Sequence, residues 1–172
     1  MQVSLVITIL GPDQPGLVKS LSETLKQHHG NWTESRMSHL AGKFAGLLHV
    51  HVPEDQIDDL SAALHNLETD KFKILVEKTN SNTHPAPSNT LSLELLGQDR
   101  PGIIHDITQQ LATLNVNIEE LESKVEEASM SGGTLFRATL ELGLPDNISP
   151  EAVQDALENM SDQFMVDLNF TS

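Results

Sequence analysis

The spacing of hydrophobic residues changes within the first thirty positions of the chain. Residues 3–10 alternate between one apolar side and a mixed side, and a period of two predicts a strand. Residues 15–28 carry an apolar residue at every fourth position, which predicts an amphipathic helix with Pro15 in its first turn and Gly30 after its end. The residues predicted to face the core are Leu5, Ile7, Ile9, Leu17, Leu21 and Leu25.

The pattern continues with two strands, a second helix and a last strand. Strands are predicted at about 31–39 and 45–52, since Leu48, Val50 and Val52 share one side. The helix carries Ile57, Leu60, Leu64 and Leu67, and the last strand carries Phe72, Ile74 and Val76. The order βαββαβ predicts a ferredoxin-like α+β module, in which two helices cover one face of a four-stranded antiparallel sheet.

The whole succession occurs twice. ITILGPDQPGLVKSLSETL at 7–25 aligns with LELLGQDRPGIIHDITQQL at 93–111, an offset of 86 residues. KFAGLLHVHVP at 43–53 aligns with LFRATLELGLP at 135–145, an offset of 92, and we place the six extra residues in a hairpin loop within EEASMSGG. In the second copy the predicted helix end is Asn115, and the last strand carries Phe164, Val166 and Leu168.

The repeat predicts two tandem domains, at residues 1–80 and 90–172. The segment SNTHPAPSN at 81–89 has no apolar face and is predicted to be a linker. The second face of the first sheet is mixed, with Val6, Leu10, Leu47, His49, His51 and Leu75. We expect part of this face to be buried against the other copy or another chain, and exposed sheet edges favour a homodimer.

The charge of the chain limits its partners. Ten basic residues against 25 acidic ones give a formal net charge of −15, and without a basic cluster direct nucleic-acid binding is not expected. The acidity provides solubility or an acidic docking surface for a basic partner protein. The absence of cysteine, of a signal peptide and of a membrane-spanning apolar run predicts a cytoplasmic protein with no membrane association.

The motif G-x-D-x-P-G stands between the first strand and the first helix of each copy, at 11–16 and 97–102. The first N–H groups of a helix lack internal partners and can bind a carboxylate. Asp13 or Asp99 beside them could bind an ammonium group, so the motif suits the two ends of a free α-amino acid. The alternative is structural, since Asp before a helix is a common N-cap and Pro-Gly can shape a turn.

Other chemistry finds little support in the sequence. His49 and His51 lie at i and i+2 and could reach one ion, but no third ligand is near in sequence, so a solvated or interface-facing pair is favoured. There is no cysteine nucleophile, no G-x-S-x-G turn and no phosphate loop. We therefore predict no catalytic residue, no metal and no cofactor.

The strand–GxDxPG–helix segment, the Asn after the helix and the βαββαβ order resemble the ACT domain over nearly the whole chain. The tandem pair and its opening GPDQPGLV resemble the bacterial glycine cleavage system transcriptional repressor family. GPDQPGLV is also similar to ACT segments attached to formyltetrahydrofolate deformylase and to nitrogen-regulatory uridylyltransferases. The absence of a catalytic domain favours the free-standing family.

The resemblance implies an amino-acid effector bound between modules and regulation through a LysR-type DNA-binding activator, with glycine as the expected effector. The implied ligand-binding residues are Gly11, Asp13, Gln14, Pro15, Gly16, Leu17 and Asn31 in the first copy, and Gly97, Asp99, Arg100, Pro101, Gly102, Ile103 and Asn117 in the second.

Two departures from the ACT pattern bear on this site. Some amino-acid-binding ACT domains carry His where Gly11 and Gly97 stand, so one side-chain contact is absent. Trp32 follows Asn31, and it either shapes a binding site, fills it or belongs to the core; the core is favoured, since Trp is usually highly buried. A ligand-independent interaction module remains the rival hypothesis.

Overall fold

The computed structural model describes residues 1–80, 86–130 and 132–160, together with the backbone of 164–169. The chain divides into two units, Met1–His84 and Pro85–Ser172, here called module one and module two. Module one consists of β1 (Gln2–Pro12), α1 (Leu17–Gln27), β2 (Asn31–Leu40), β3 (Lys43–Pro53), a short 3₁₀ turn (Glu54–Gln56), α2 (Ile57–His65) and β4 (Lys73–Lys78). Module two consists of β5 (Asn89–Gln98), α3 (Ile103–Thr113), β6 (Asn117–Glu127), β7 (Thr134–Leu144), α4 (Pro150–Glu158) and β8 (Phe164–Asn169).

Each module is a ferredoxin-like α+β unit, as the alternation and the helical spacing predict. The sheet orders are β2-β3-β1-β4 and β6-β7-β5-β8, and every neighbouring pair is antiparallel. The alternating residues of β1 and the fourfold-spaced residues of α1 meet in one core, because both apolar faces must be removed from water. Core residues of module one include Leu5, Ile7, Ile9, Leu21, Leu25, Leu48, Val50, Leu60 and Leu64. The equivalent core of module two includes Leu91, Leu93, Leu95, Ile107, Leu111, Leu140, Leu142, Val153 and Leu157.

The start of the first helix differs from the sequence prediction. Helix α1 begins at Leu17, so Pro15 precedes the helix and does not lie in its first turn. The cause is Gly16, whose φ of 91° is left-handed and interrupts the helical geometry. Pro15 and Gly16 instead form the turn between β1 and α1.

The end of the first helix also differs. The left-handed residue is His29, with φ 57°, and the predicted Gly30 follows it. The N–H of Gly30 donates to the carbonyl of Leu25 at 2.8 Å, which satisfies one free carbonyl of the last turn. In module two the left-handed residue is Asn115, as predicted, with φ 56°.

The extra residues of module two lie in the β6–β7 hairpin connection, as the change of offset predicts. The β2–β3 hairpin of module one turns through Ala41 and Gly42, with φ values of 49° and 77°. Two consecutive positive φ values are typical of a tight two-residue hairpin.

The predicted linker is only partly described. Residues 81–85 lie outside the described part of the chain, and Asn89, predicted to end the linker, begins β5. The side chains of Phe164, Val166 and Leu168 are likewise outside the description, although their backbone forms strand β8. Among the described residues, no helix is long and apolar enough to cross a lipid bilayer.

Candidate functional site

The two GxDxPG loops have the same main-chain geometry. The N–H of Asp13 donates to the carbonyl of Gly42 at 3.1 Å, and the N–H of Asp99 donates to the carbonyl of Thr134 at 3.0 Å. Gly16 and Gly102 both adopt left-handed φ values, of 91° and 83°. Each loop is therefore tied to its neighbouring hairpin and turned into the helix by a glycine that tolerates this conformation.

The carboxylates of Asp13 and Asp99 do not cap the helices. The N-cap residues of α1 and α3 are Gly16 and Gly102, and neither helix has a side-chain cap. By contrast, Ser149 caps α4 by accepting from the N–H of Ala152. The capping interpretation of the two Asp residues is therefore wrong, and their side chains are exposed, with no hydrogen bond or ion pair to a described residue. The first-turn N–H groups of α1 and α3 are left without an internal partner or a side-chain cap.

The surroundings of the two loops differ in charge. Arg100 donates to Asp106 at 2.7 Å in the first turn of α3, and His105 lies 3.2 Å from the same carboxylate. The hydrogen bond from Arg100, followed by that from His105, lowers the pKa of Asp106. In module one the positions of Arg100 and Asp106 are occupied by Gln14 and Ser20, and α1 has no acidic residue in its first turn.

The remaining loop residues divide by burial. Gln14, Pro15 and Gly16 are exposed, as are Pro101 and Gly102, whereas Gly11 and Gly97 are buried at the ends of their strands. Leu17 is half-buried and packs against the core of module one. The side chain of Ile103 is only 4 % exposed and belongs to the core of module two, so its main chain alone can reach a ligand.

Gly11 lies against the ring of Phe72, so a His side chain at this position would collide with it. A Cβ atom on Gly11 would lie 2.7 Å from Cδ2 of Phe72, closer than van der Waals contact allows. Any side chain at this position therefore requires the buried Phe72 ring to move.

Gly11→Ala is expected to destabilise module one by about 1 kcal/mol, at the lower end of overpacking costs, because a side chain rather than the backbone has to move. Urea unfolding followed by circular dichroism measures this change. Gly16→Ala is the matched comparison, because a Cβ there meets no atom within 4 Å and any loss would come from its positive φ alone. An unchanged midpoint for Gly11→Ala would contradict the contact with Phe72.

The two Asn residues lie far from the loops of their own modules. Asn31 pairs with His51, which pairs with Ser4 at the start of β1, whereas the loop follows the end of β1. Asn117 pairs with Gly143, which pairs with Thr90 near the start of β5. Eight residues of strand span roughly 25 Å at 3.3 Å per residue. Within one module, the Asn side chain and the Asp side chain therefore cannot contact the same amino acid.

The surroundings of the two Asn residues contain a feature that the sequence pattern did not reveal. Both β2 and β6 contain a bulge two residues after the Asn, at Thr33 and Glu119. The side-chain amide of Asn117 donates to Glu119 at 2.6 Å. Thr33 instead donates to the carbonyl of His49 at 2.9 Å, and Asn31 has no side-chain hydrogen bond to a described residue.

Trp32 and the His pair occupy separate faces of the first sheet. Trp32 pairs with buried Val50 and packs against the core, in agreement with the favoured interpretation. His49 and His51 lie on the opposite face with ring centroids 5.0 Å apart and planes 81° apart. Within the described part of the chain, no three His, Asp or Glu side chains are grouped closely enough to hold a metal ion.

Comparison with known proteins identifies the class of this fold and site. The ACT domain family model matches residues 4–77 and 89–171. The chain belongs to the ACT domain family and carries two ACT domains in tandem. ACT domains are regulatory modules that bind small amino-acid effectors.

Three known proteins resemble this chain to different degrees. A protein of unknown function from Galdieria sulphuraria is 28 % identical, with a TM-score of 0.83 over 100 % of both chains. The structure of a candidate glycine cleavage system transcriptional repressor has a TM-score of 0.73 over 99 % of both chains, and at 17 % identity it shows the shared fold alone. Phosphoserine phosphatase of Mycobacterium tuberculosis is 27 % identical over 125 residues, which are 69 % of this chain. The chain spans 30 % of the length of that curated relative.

Proposed function

We propose that this chain is a non-enzymatic regulator that binds a small amino acid, glycine first among them, and acts in the cytoplasm through a LysR-type DNA-binding activator. The observation that carries the proposal is the pair of uncapped helix starts, each beside an Asp carboxylate without a partner among the described residues. The first-turn N–H groups would donate hydrogen bonds to the ligand carboxylate, and the carboxylate of Asp13 or Asp99 would accept hydrogen bonds from its ammonium group.

A ligand held by both a loop and an Asn cannot lie within one module, because about 25 Å separates these elements there. Ligand binding would favour one conformation of the protein over another, and the difference in affinity between the two conformations would set the response.

Glycine is proposed because it presents only the two charged ends that these groups recognise. The repressor-named structure of the same fold is consistent with this choice. The net charge of −15 disfavours direct contact with DNA phosphates and supports an effect through a partner protein.

The first test is isothermal titration calorimetry of the full chain with glycine, serine and the other amino acids. We expect saturable binding of one small amino acid, weakened roughly tenfold to a hundredfold by Asp13→Ala or Asp99→Ala, because a hydrogen bond to a charged group contributes about 1.5–3 kcal/mol. The single substitutions Asn31→Ala and Asn117→Ala are expected to weaken binding by the same tenfold to hundredfold. Asp59→Ala, an exposed carboxylate on α2, is the matched control and should bind normally.

Unchanged affinity in all four variants would refute the assigned residues. Absence of binding to every amino acid, in a protein shown to be folded, would favour the second candidate, a ligand-independent interaction module. The observation in favour of that candidate is the exposed apolar surface formed by Leu10, Leu47 and Leu75. If amino-acid binding is found, the purified activator should bind its operator DNA differently in the presence of this chain with and without the ligand.

A further inference from the structure

The Asn that opens the second strand of each module has different neighbours, although the backbones match. In module two the side-chain nitrogen of Asn117 donates to Oε1 of Glu119, the extra residue of the bulge, at 2.6 Å. The equivalent residue of module one is Thr33, whose hydroxyl donates to the carbonyl of His49 at 2.9 Å and lies 3.0 Å from Nδ1 of its ring. A carboxylate therefore binds the Asn of module two, whereas the hydroxyl of module one is bonded to the neighbouring strand.

The hydrogen bond to Glu119 determines which way the amide of Asn117 faces. An ionised carboxylate accepts hydrogen bonds and does not donate them, so the amide nitrogen must face it. The amide oxygen is then free to accept from a ligand, and both side chains are exposed. Because the oxygen and nitrogen of an amide share one carbon, the amide oxygen and Oε1 lie less than two hydrogen-bond lengths apart. One group with several N–H bonds can therefore donate to both.

A glycine of the neighbouring strand leaves room for this carboxylate. Gly143 pairs with Asn117 and is buried. A Cβ atom on Gly143 would lie 2.8 Å from Oε1 of Glu119, the atom that accepts from Asn117, and 3.1 Å from Cβ of Pro87. The equivalent residue of module one is His51. Module two thus combines a carboxylate with a glycine where module one combines a hydroxyl with a large ring.

We propose that Glu119 is a specificity-determining residue, which together with the amide oxygen of Asn117 binds the ammonium group of the amino acid. The inference rests on the proposed amino-acid binding and adds to it an acceptor that module one lacks. An ammonium group has three N–H donors, and each needs an acceptor when water is excluded. The Asp of a GxDxPG loop would accept one of them, and Asn117 and Glu119 would accept the other two.

This assignment restricts the chemical class of the ligand to amino acids with a free ammonium group. A hydroxy acid such as glycolate presents one donor in place of three, so it would leave acceptors unpaired in a site from which water is excluded. Asn31, which has Thr33 instead of a carboxylate as its neighbour, should distinguish glycine from glycolate less strongly. The two modules are therefore expected to differ in specificity although both carry the Asn.

The hydrogen bond itself can be tested without a ligand, by the side-chain amide resonances of Asn117 in the ¹⁵N-labelled chain. Glu119→Thr removes the carboxylate, and Gly143→Ala displaces it while every charge is kept, so both should shift these resonances in the same direction. Glu122→Thr, the same change at another exposed position of β6, is the matched control and should leave them in place. Unshifted resonances in the first two variants would overturn the proposal.

The effect on specificity can be measured by calorimetry of the full chain with glycine and, in competition, with glycolate. The wild type should bind glycine at least tenfold more tightly than glycolate. Glu119→Thr should weaken glycine binding about tenfold, at the lower end for a charged hydrogen bond because the side chains are exposed. Its affinity for glycolate should stay nearly unchanged, so the discrimination falls. Gly143→Ala should act in the same direction, and Glu122→Thr should behave as the wild type.

Two results would overturn this proposal and leave the proposed function in place. One is glycine binding that Asn117→Ala weakens and Glu119→Thr does not. The other is equal weakening by Glu119→Thr and Glu122→Thr, which would assign the effect to the overall charge of the strand. Failure of the wild type to bind any amino acid would instead refute the proposed function, and this inference with it. Circular dichroism of each variant separates loss of binding from loss of folding.

Discussion

Leu48→Ala is expected to lower the free energy of unfolding of module one by about 2–5 kcal/mol, whereas Leu47→Ala should change it by less than about 0.5 kcal/mol. The two leucines are adjacent on β3 and point to opposite faces of the sheet. Leu48 is 1 % exposed and pairs with Ile7 in the core, while Leu47 is 52 % exposed and pairs with Thr8. Truncating the buried residue leaves a cavity, but truncating the exposed residue leaves none.

The fluorescence of Trp32 can be used to measure the stability of the Leu47→Ala and Leu48→Ala variants. Trp32 is the sole tryptophan of the chain and packs against the core of module one, so its fluorescence during urea unfolding follows this module. Equal shifts of the midpoint for Leu47→Ala and Leu48→Ala would contradict the assignment of the two faces.

The strands and helices could be predicted because each of them buries one face in the core. Each element of the module hides one face, so apolar residues recur with a period of two in β1 and about four in α1. The apolar alternation is weak in the edge strand β2, because most of its residues are exposed. The bulges at Thr33 and Glu119 shift the core-facing positions by one residue, so that Trp32 and Met37 both pack against the core. A strand with so few apolar residues does not reveal this shift.

The candidate site was only half predictable. The sequence located the GxDxPG loops, but it could not decide whether Asp13 caps the helix. That decision rests on the backbone of Gly16, whose left-handed conformation moves the helix start to Leu17 and leaves Asp13 outside capping distance. The separation of loop and Asn31 could have been deduced from the predicted order, because α1 carries the chain back to the beginning of the sheet. An interaction between the two in one module was thus excluded by topology alone.

The duplication also explains a difference in side-chain size within the two cores. Gly46 pairs with Met37 in module one, and the equivalent pair in module two is Ala138 with Ser123. A Cβ on Gly46 would lie 2.5 Å from Cγ of Met37 and 2.9 Å from the carbonyl oxygen of Arg36. A large residue on β2 is thus matched by glycine on β3, and a small residue on β6 is matched by alanine on β7.

Gly46→Ala is therefore expected to destabilise module one by about 2–3 kcal/mol, near the upper end of overpacking costs, because the Arg36 carbonyl belongs to the paired backbone and moves only with its strand. Adding Met37→Ser recreates the pair of module two and should remove the part of this strain that comes from Cγ of Met37, but not the part that comes from the Arg36 carbonyl. The double variant should then be more stable than the sum of the single changes by about 1 kcal/mol or more, as contacting residues are generally coupled. Trp32 fluorescence in urea measures all three variants. Strict additivity would show that the clash with Met37 does not determine the glycine at position 46, and would leave the Arg36 carbonyl as the constraint.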